Sequence, residues 1–201
     1  MLMSFIQRAA ASALCVIALA APVAPTGALA EDGAWFLHEF GELRSYHGDW
    51  LAVCGPDARG SCRLVQFLFE PGQRDRFFGS ARLSVESDPE SGEIDRIELY
   101  ARGAPDEPLG AVGIVIDGNA WSLRPGSEIR GARTGAGGVI SESYEITASS
   151  LLAELHAAMR RGETLRIGYR TQEGAQRLRF SLRGYAAGMA AIDALEARRG
   201  R

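Results

Sequence analysis

Two of the three cysteines, three histidines and an acidic run are the residues of this chain whose types could carry covalent, acid–base or metal chemistry; the third cysteine, Cys15, lies in the apolar N-terminal stretch. Cys54 and Cys62 flank Gly55-Pro56-Asp57-Ala58-Arg59-Gly60-Ser61, a stretch made almost wholly of turn formers. Such a pair can serve redox exchange, metal ligation or a structural cross-link. The spacing is not C-x-x-C, and no neighbouring Lys or His stands by to lower a thiol pKa, so a structural Cys54–Cys62 disulfide is the expectation. His38, His47 and His156 are isolated, and none belongs to an i, i+4 pair or a four-ligand zinc pattern. The run Glu86, Asp88, Glu90, Glu93, Asp95 lacks the alternation of a calcium loop around Gly92 and reads as a solvated hairpin loop. The chain has no lysine, which removes Schiff-base chemistry and the G-x-x-x-x-G-K phosphate loop. It also has no G-x-S-x-G elbow, although a triad built from distant residues leaves no such local trace. The reading is a protein that is not an enzyme, with no catalytic residue, no metal ligand and no cofactor.

The first thirty residues state where such a protein works. Arg8 supplies a positive charge, an apolar stretch runs from Ala9 to about Val23, and Ala28-Leu29-Ala30 closes the segment. These are the parts of a secretory signal peptide, with cleavage expected after Ala30 and a periplasmic or secreted mature chain. Pro22 and Pro25 interrupt the apolar run, and a membrane span needs about 20 apolar residues, so no transmembrane segment is expected in the mature chain. An oxidising compartment agrees with the expected disulfide. Removing the leader removes one arginine and no acid, which takes the net charge from −3 to −4. A mildly acidic chain with scattered arginines does not suggest nucleic acid, which calls for a clustered basic face.

The elements that must position these residues follow from hydrophobic period. Residues 31–47 read as an extended N-terminal lead-in, and 48–199 as a single β-rich domain. Period-2 strands are expected at Asp49 to Cys54, Cys62 to Phe69, Phe77 to Val85, Ile94 to Ala101, Leu109 to Ile116, and Val139 to Ile146. Asp117-Gly118 is a two-residue hairpin signal, with the return strand through Trp121 and Leu123. Gly126 to Gly138 reads as a mobile glycine-rich loop. Thr147 or Ser149 is placed to cap a helix of Leu151, Leu152, Leu155 and Met159 that Gly162 stops. Two more strands, Thr164 to Tyr169 and Arg177 to Phe180, surround Gln172-Glu173-Gly174. Ser181 then caps a last helix with the stripe Leu182, Tyr185, Ala186, Met189, Ile192 and Leu195. Gly184 and Gly188 form G-x-x-x-G, a spacing that lets this helix lie close on a sheet. Trp35, Trp50 and Trp121 fit either a ligand groove or a core with satisfied indole N–H groups. About nine short strands with two late helices predict a mainly β fold, a sandwich or barrel-like set of antiparallel sheets.

Several stretches together resemble the invasion-associated locus B family of secreted bacterial proteins. Gly48-Asp49-Trp50, Cys54 and Cys62-x-Leu64-x-Gln66 resemble its N-terminal signature. Leu109-Gly110 and Val115-Ile116-Asp117-Gly118 resemble its central hairpin. Arg161-Gly162-Glu163-Thr164-Leu165 and Phe180-Ser181-Leu182-Arg183-Gly184-Tyr185 resemble its closing helices and strands. The family commonly carries a second cysteine pair after the hairpin, and the segment Leu123 to Ser143 lacks it. The resemblance implies a β-rich envelope protein linked to host-cell invasion, with no catalytic residues and no cofactor. The function expected is binding to an envelope component or partner protein. The rivals are a structural or stress-related envelope factor and an uncharacterised periplasmic hydrolase.

Overall fold

The computed structural model describes residues 32–55, 62–69, 79–88, 91–134 and 136–199. The leader with its expected cleavage site, most of the loop between the cysteines, and Phe77 and Phe78 lie outside these residues. In chain order the strands are β1 (Phe36–Leu37), β2 (Leu43–His47), β3 (Trp50–Cys54), β4 (Cys62–Leu68), β5 (Ala81–Ser87) and β6 (Ile94–Ala101). They continue with β7 (Val112–Ile116), β8 (Asn119–Leu123), β9 (Ile129–Arg133) and β10 (Val139–Ile146). Helix α1 (Ser149–Met159), β11 (Thr164–Thr171), β12 (Gly174–Ser181) and α2 (Tyr185–Arg199) complete the chain. Two antiparallel sheets result, one of eight strands in the order β1-β2-β3-β4-β5-β6-β10-β9 and one of four in the order β12-β11-β7-β8. The sandwich-like, mainly β architecture with two late helices agrees with the period-2 reading, and neither sheet closes into a barrel.

Alternation decides which face of the large sheet is buried. The register Ala52↔Leu64, Leu64↔Val85 and Val85↔Ile97 puts apolar residues side by side on one face. Each is at most 4% exposed, and burial of such a side chain contributes about 1.5–3 kcal/mol. Ile114, Ile116, Leu165, Ile167 and Phe180 of the small sheet join the same core. Helix α1 packs on β6 and α2 on β2, β3 and β4. The close seat of α2 depends on its glycines, as the G-x-x-x-G spacing predicts. A Cβ on Gly188 would stand 2.5 Å from Leu64 Cδ1. A Cβ on Gly184, at φ +91°, would stand 1.9 Å from the His47 carbonyl oxygen.

A buried glutamine ties the two sheets together. Gln66 is 4% exposed. Its Nε2 donates to the carbonyls of Asp49 (3.1 Å) and Ser181 (3.0 Å), and its Oε1 accepts from Ser181 N at 2.9 Å. Trp50 Nε1 donates to the same Ser181 carbonyl at 2.9 Å, while its ring meets Tyr185 edge-on at 5.0 Å. The end of β12 is thus clamped to β3 and β4, and every polar atom of the Gln66 amide has a partner. A second tie comes from the β7–β8 hairpin, whose turn has Asp117 at φ 46° and Gly118 at φ 96°. Asp117 accepts from Glu163 N at 2.7 Å and Thr164 N at 3.0 Å, which anchors the chain where it leaves α1 for β11.

The structure corrects several local expectations. Among the described residues twelve strands stand where about nine were expected, because the lead-in contributes β1 and β2 and the glycine-rich segment β9 to the large sheet. The glycine-rich segment 126–138 contains β9, paired with β10 through Ile129↔Ile146 and Gly131↔Tyr144. Cross-strand pairing overrides its poor strand propensity. Neither Thr147 nor Ser149 caps α1: the cap is Ala148, with no side-chain hydrogen bond. Ser181 ends β12, and its Oγ accepts from Arg183 N at 3.2 Å, so α2 starts four residues later at Tyr185.

Candidate functional site

The second face of the large sheet carries the site. The same alternation that buries Ala52, Leu64 and Val85 sends Leu51, Val53, Arg63, Val65, Phe67, Arg82, Ser84 and Glu98 to the other side. On β2, Arg44 and Tyr46 pair with Val53 and Leu51 and share that side. A cleft of about 720 Å³ opens there. Leu51, Val53, Val65 and Phe67 line it, together with Ile140. Ile140 arrives from the first half of β10, which pairs with β9 at Val139↔Arg133 and meets β6 only from Ser143 onwards. Arg44, Arg63 and Arg82 also line the cleft. Its size and mixed lining are those of a small-molecule site, commonly 300–1,000 Å³.

The charges of this face are matched with one exception. Arg82 Nη2 pairs with Glu98 Oε1 at 2.6 Å, Arg96 pairs with Glu86, and Arg130 Nε pairs with Glu145 Oε1 at 2.8 Å. Glu98 and Glu145 are buried, and each has an arginine of its own. Asp49 at the cleft edge is held by Arg183 at 2.6 Å. Glu42 is different, because two arginines share it. Arg44 donates through Nη2 at 2.7 Å and Nε at 3.1 Å, and Arg63 Nη2 donates at 3.1 Å. The Arg44 hydrogen bond holds the Glu42 carboxyl below its ordinary range, against the opposing pull of burial. One carboxylate between two guanidiniums leaves one positive charge in excess beside the apolar lining. Arg63 keeps 43% of its side chain open to solvent, so an incoming anion can reach it.

Of the residues singled out in the sequence, Trp50 and Glu86 line this cleft and the others lie elsewhere. Cys54 and Cys62 are directly paired in the β3–β4 register and joined by a disulfide, with Cα atoms 4.2 Å apart. Both are fully buried on the core face, away from the cleft. The histidines are scattered. His38 meets Phe40 edge-on, and His156 Nδ1 lies 2.7 Å from Tyr185 OH between the helices. His47 Nε2 lies 3.0 Å from Ser45 Oγ, the one serine–histidine contact among the described residues. Ser45 has no exposed surface and faces the core, and no described carboxylate is hydrogen-bonded to the His47 ring. That geometry offers a substrate no approach. Burial lowers the pKa of both His47 and His156, which keeps both neutral at pH 7. In the acidic run, Glu86 belongs to Arg96 and Asp88 accepts from Ser91 N at 2.7 Å, while Glu90 lies outside the described residues. Trp50 is core, and Trp35 and Trp121 are half-buried against it.

Sequence reasoning did not single out Glu42, Arg44, Arg63 or Ile140. The alternation Leu43-Arg44-Ser45-Tyr46-His47 was a usable signal for β2, and it would have set Arg44 and Tyr46 on one side. Nothing local linked them to Ile140. Compared with protein-family models, curated proteins and solved structures, the chain matches none.

Proposed function

We propose that this protein is a non-catalytic envelope protein of the kind that invasion-associated locus B resembles, and that it binds an anionic amphiphile in the large-sheet cleft. The observation that carries this reading is one excess guanidinium beside an apolar lining. An acyl or other apolar body would replace water over the half-buried Leu51 and Phe67, at about 25 cal/mol per Å² buried. Its carboxylate or phosphate would take Arg63, in a charge-assisted hydrogen bond worth about 1.5–3 kcal/mol. The leader-like first thirty residues support a periplasmic or secreted setting in which such envelope components occur.

The test is displacement of a fluorescent fatty acid from the purified protein. The expected result is saturable binding, at least about tenfold tighter for the acid than for the alcohol of the same chain length, as one charged hydrogen bond predicts. Arg63→Gln should abolish that preference, and Leu51→Arg, at a half-buried position of the lining, should abolish binding. Equal binding of acid and alcohol, or no saturable binding, overturns the proposal.

A further inference from the structure

The four-stranded sheet also has an outer face, and its chemistry differs from that of the cleft. Leu165, Ile167 and Tyr169 of β11 point to the core. The residues between them therefore point out. The β11–β12 register sets Arg166 opposite Arg179, Gly168 opposite Arg177, and Arg170 opposite Ala175. All four arginines are exposed. Strand β7 continues this face with Val115 beside Arg166 and Gly113 beside Gly168. Strand β8 adds Ala120 and Ser122. None of the four arginines forms an ion pair or side-chain hydrogen bond among the described residues, whose ion pairs all lie elsewhere. Arg166 and Arg179 stand directly opposite one another, an arrangement that is unfavourable for like charges in a sheet. In a chain of net charge −3, four arginines converge on one open face with no internal partner.

We infer that this face docks the protein onto a bilayer surface bearing anionic phospholipid headgroups. The arginines occupy three successive rungs about 7 Å apart, two on the first and one on each of the others, and so form a field about 13 Å long. The face is an open sheet surface, so it meets a layer of anions better than it encloses one. Gly113 and Gly168 carry no side chain, which lets headgroups settle between the guanidiniums. Each guanidinium can take a phosphate through two parallel hydrogen bonds. A single-stranded nucleic acid fits poorly, because no aromatic side chain stands on this face to stack a base. Four strands at about 4.8 Å spacing are also too broad to enter a major groove about 12 Å wide. The docking face belongs to the other sheet from the cleft, and its argument holds whether or not the cleft takes an amphiphile.

The test is sedimentation of the leader-free chain, residues 31–201, with vesicles of phosphatidylglycerol and phosphatidylcholine at low salt. The protein should pellet with the anionic vesicles and not with pure phosphatidylcholine. It should be released at 0.5 M NaCl, where the screening length falls to about 4 Å. Each arginine near an anionic surface strengthens partitioning about fivefold. Replacing all four (Arg166→Gln, Arg170→Gln, Arg177→Gln, Arg179→Gln) should therefore weaken it more than about a hundredfold, with the thermal midpoint preserved. If that variant does not fold, Arg177→Gln with Arg179→Gln should still give a loss of about 30-fold. The cleft variant Leu51→Arg should pellet as the parent does, which separates this proposal from the previous one. Four outcomes each overturn the docking face: equal pelleting with neutral vesicles, unchanged pelleting of a folded arginine variant, loss through a folded Leu51→Arg instead, or binding of an oligonucleotide or inorganic phosphate with no vesicle binding.

Discussion

The outer faces of the two sheets use the same residue in opposite ways. On the eight-stranded sheet, Arg82, Arg96 and Arg130 each hold a glutamate across a strand boundary, and Arg44 and Arg63 share Glu42. On the four-stranded sheet, Arg166, Arg170, Arg177 and Arg179 hold none among the described residues. Paired arginines stiffen a face and cancel its charge. Unpaired ones leave a field directed outward and add nothing to folding. The difference separates a face built to be stable around one apolar cleft from a face whose charge is available to a partner. Arginine content alone carries no such information, because the two faces differ in what stands across the strand, not in residue type.

The comparison depends on the sheets being held as one body, and breaking that link has the largest expected effect. Gln66→Leu leaves Ser181 N and the carbonyls of Asp49 and Ser181 without their buried partner, so we expect a loss of about 3 kcal/mol in urea unfolding. A change within 0.5 kcal/mol would show that the clamp is incidental.

Next comes the β3–β4 hairpin that carries the cleft lining. Cys54→Ser with Cys62→Ser removes the cross-link across a short loop and should lower stability by about 2–3 kcal/mol without abolishing amphiphile binding. Peptide mapping under non-reducing conditions checks the linkage itself, and free thiols in secreted material would contradict it.

The direct contrast between the faces is the third prediction. Glu98→Gln removes the partner of Arg82, which keeps partial access to water, so the expected loss is about 1–2 kcal/mol. Arg179→Gln on the other sheet should be neutral or stabilising by a few tenths of a kcal/mol, because it relieves the repulsion from Arg166. Equal losses from the two substitutions would erase the distinction.

Acid separates the regions more gently. The pKa of His156 is lowered by burial, with Arg160 adding to the shift and Asp193 opposing it. Its unfolded form therefore binds the proton more readily, and stability present above pH 6.5 is lost as pH falls below that value. The Glu42 pair, whose carboxyl is held below 4.5, should respond only at lower pH. Thermal midpoints from pH 7 to 5 should fall, and the slope should flatten in His156→Gln. A flat profile in the parent protein would contradict this.

Strand positions, the disulfide and the apolar stripe of α2 were legible because each rests on neighbours a few residues apart. Alternation at i, i+2 marked β3 to β6, turn formers between Cys54 and Cys62 marked a hairpin, and Gly184 with Gly188 marked a close helix seat. Segment 126–138 was misread for the same reason. Its glycines speak locally for a loop, while its pairing with β10 comes from a strand that follows later. The cleft was not legible, because Glu42, Arg63 and Ile140 meet only once strand order is set.

By itself the sequence determined which residues alternate, where the chain turns and which cysteines could meet, since these follow from covalent neighbours and backbone preference. Only the tertiary structure decided which arginines have a carboxylate and which do not. A cross-strand partner is chosen by register and strand order, and these bring Arg82 to Glu98 and Arg63 to Glu42 while setting Arg166 against Arg179. The charge each face presents is therefore a property of topology, because at contact distances Coulomb energy depends on who stands opposite and not on how many charges the chain contains.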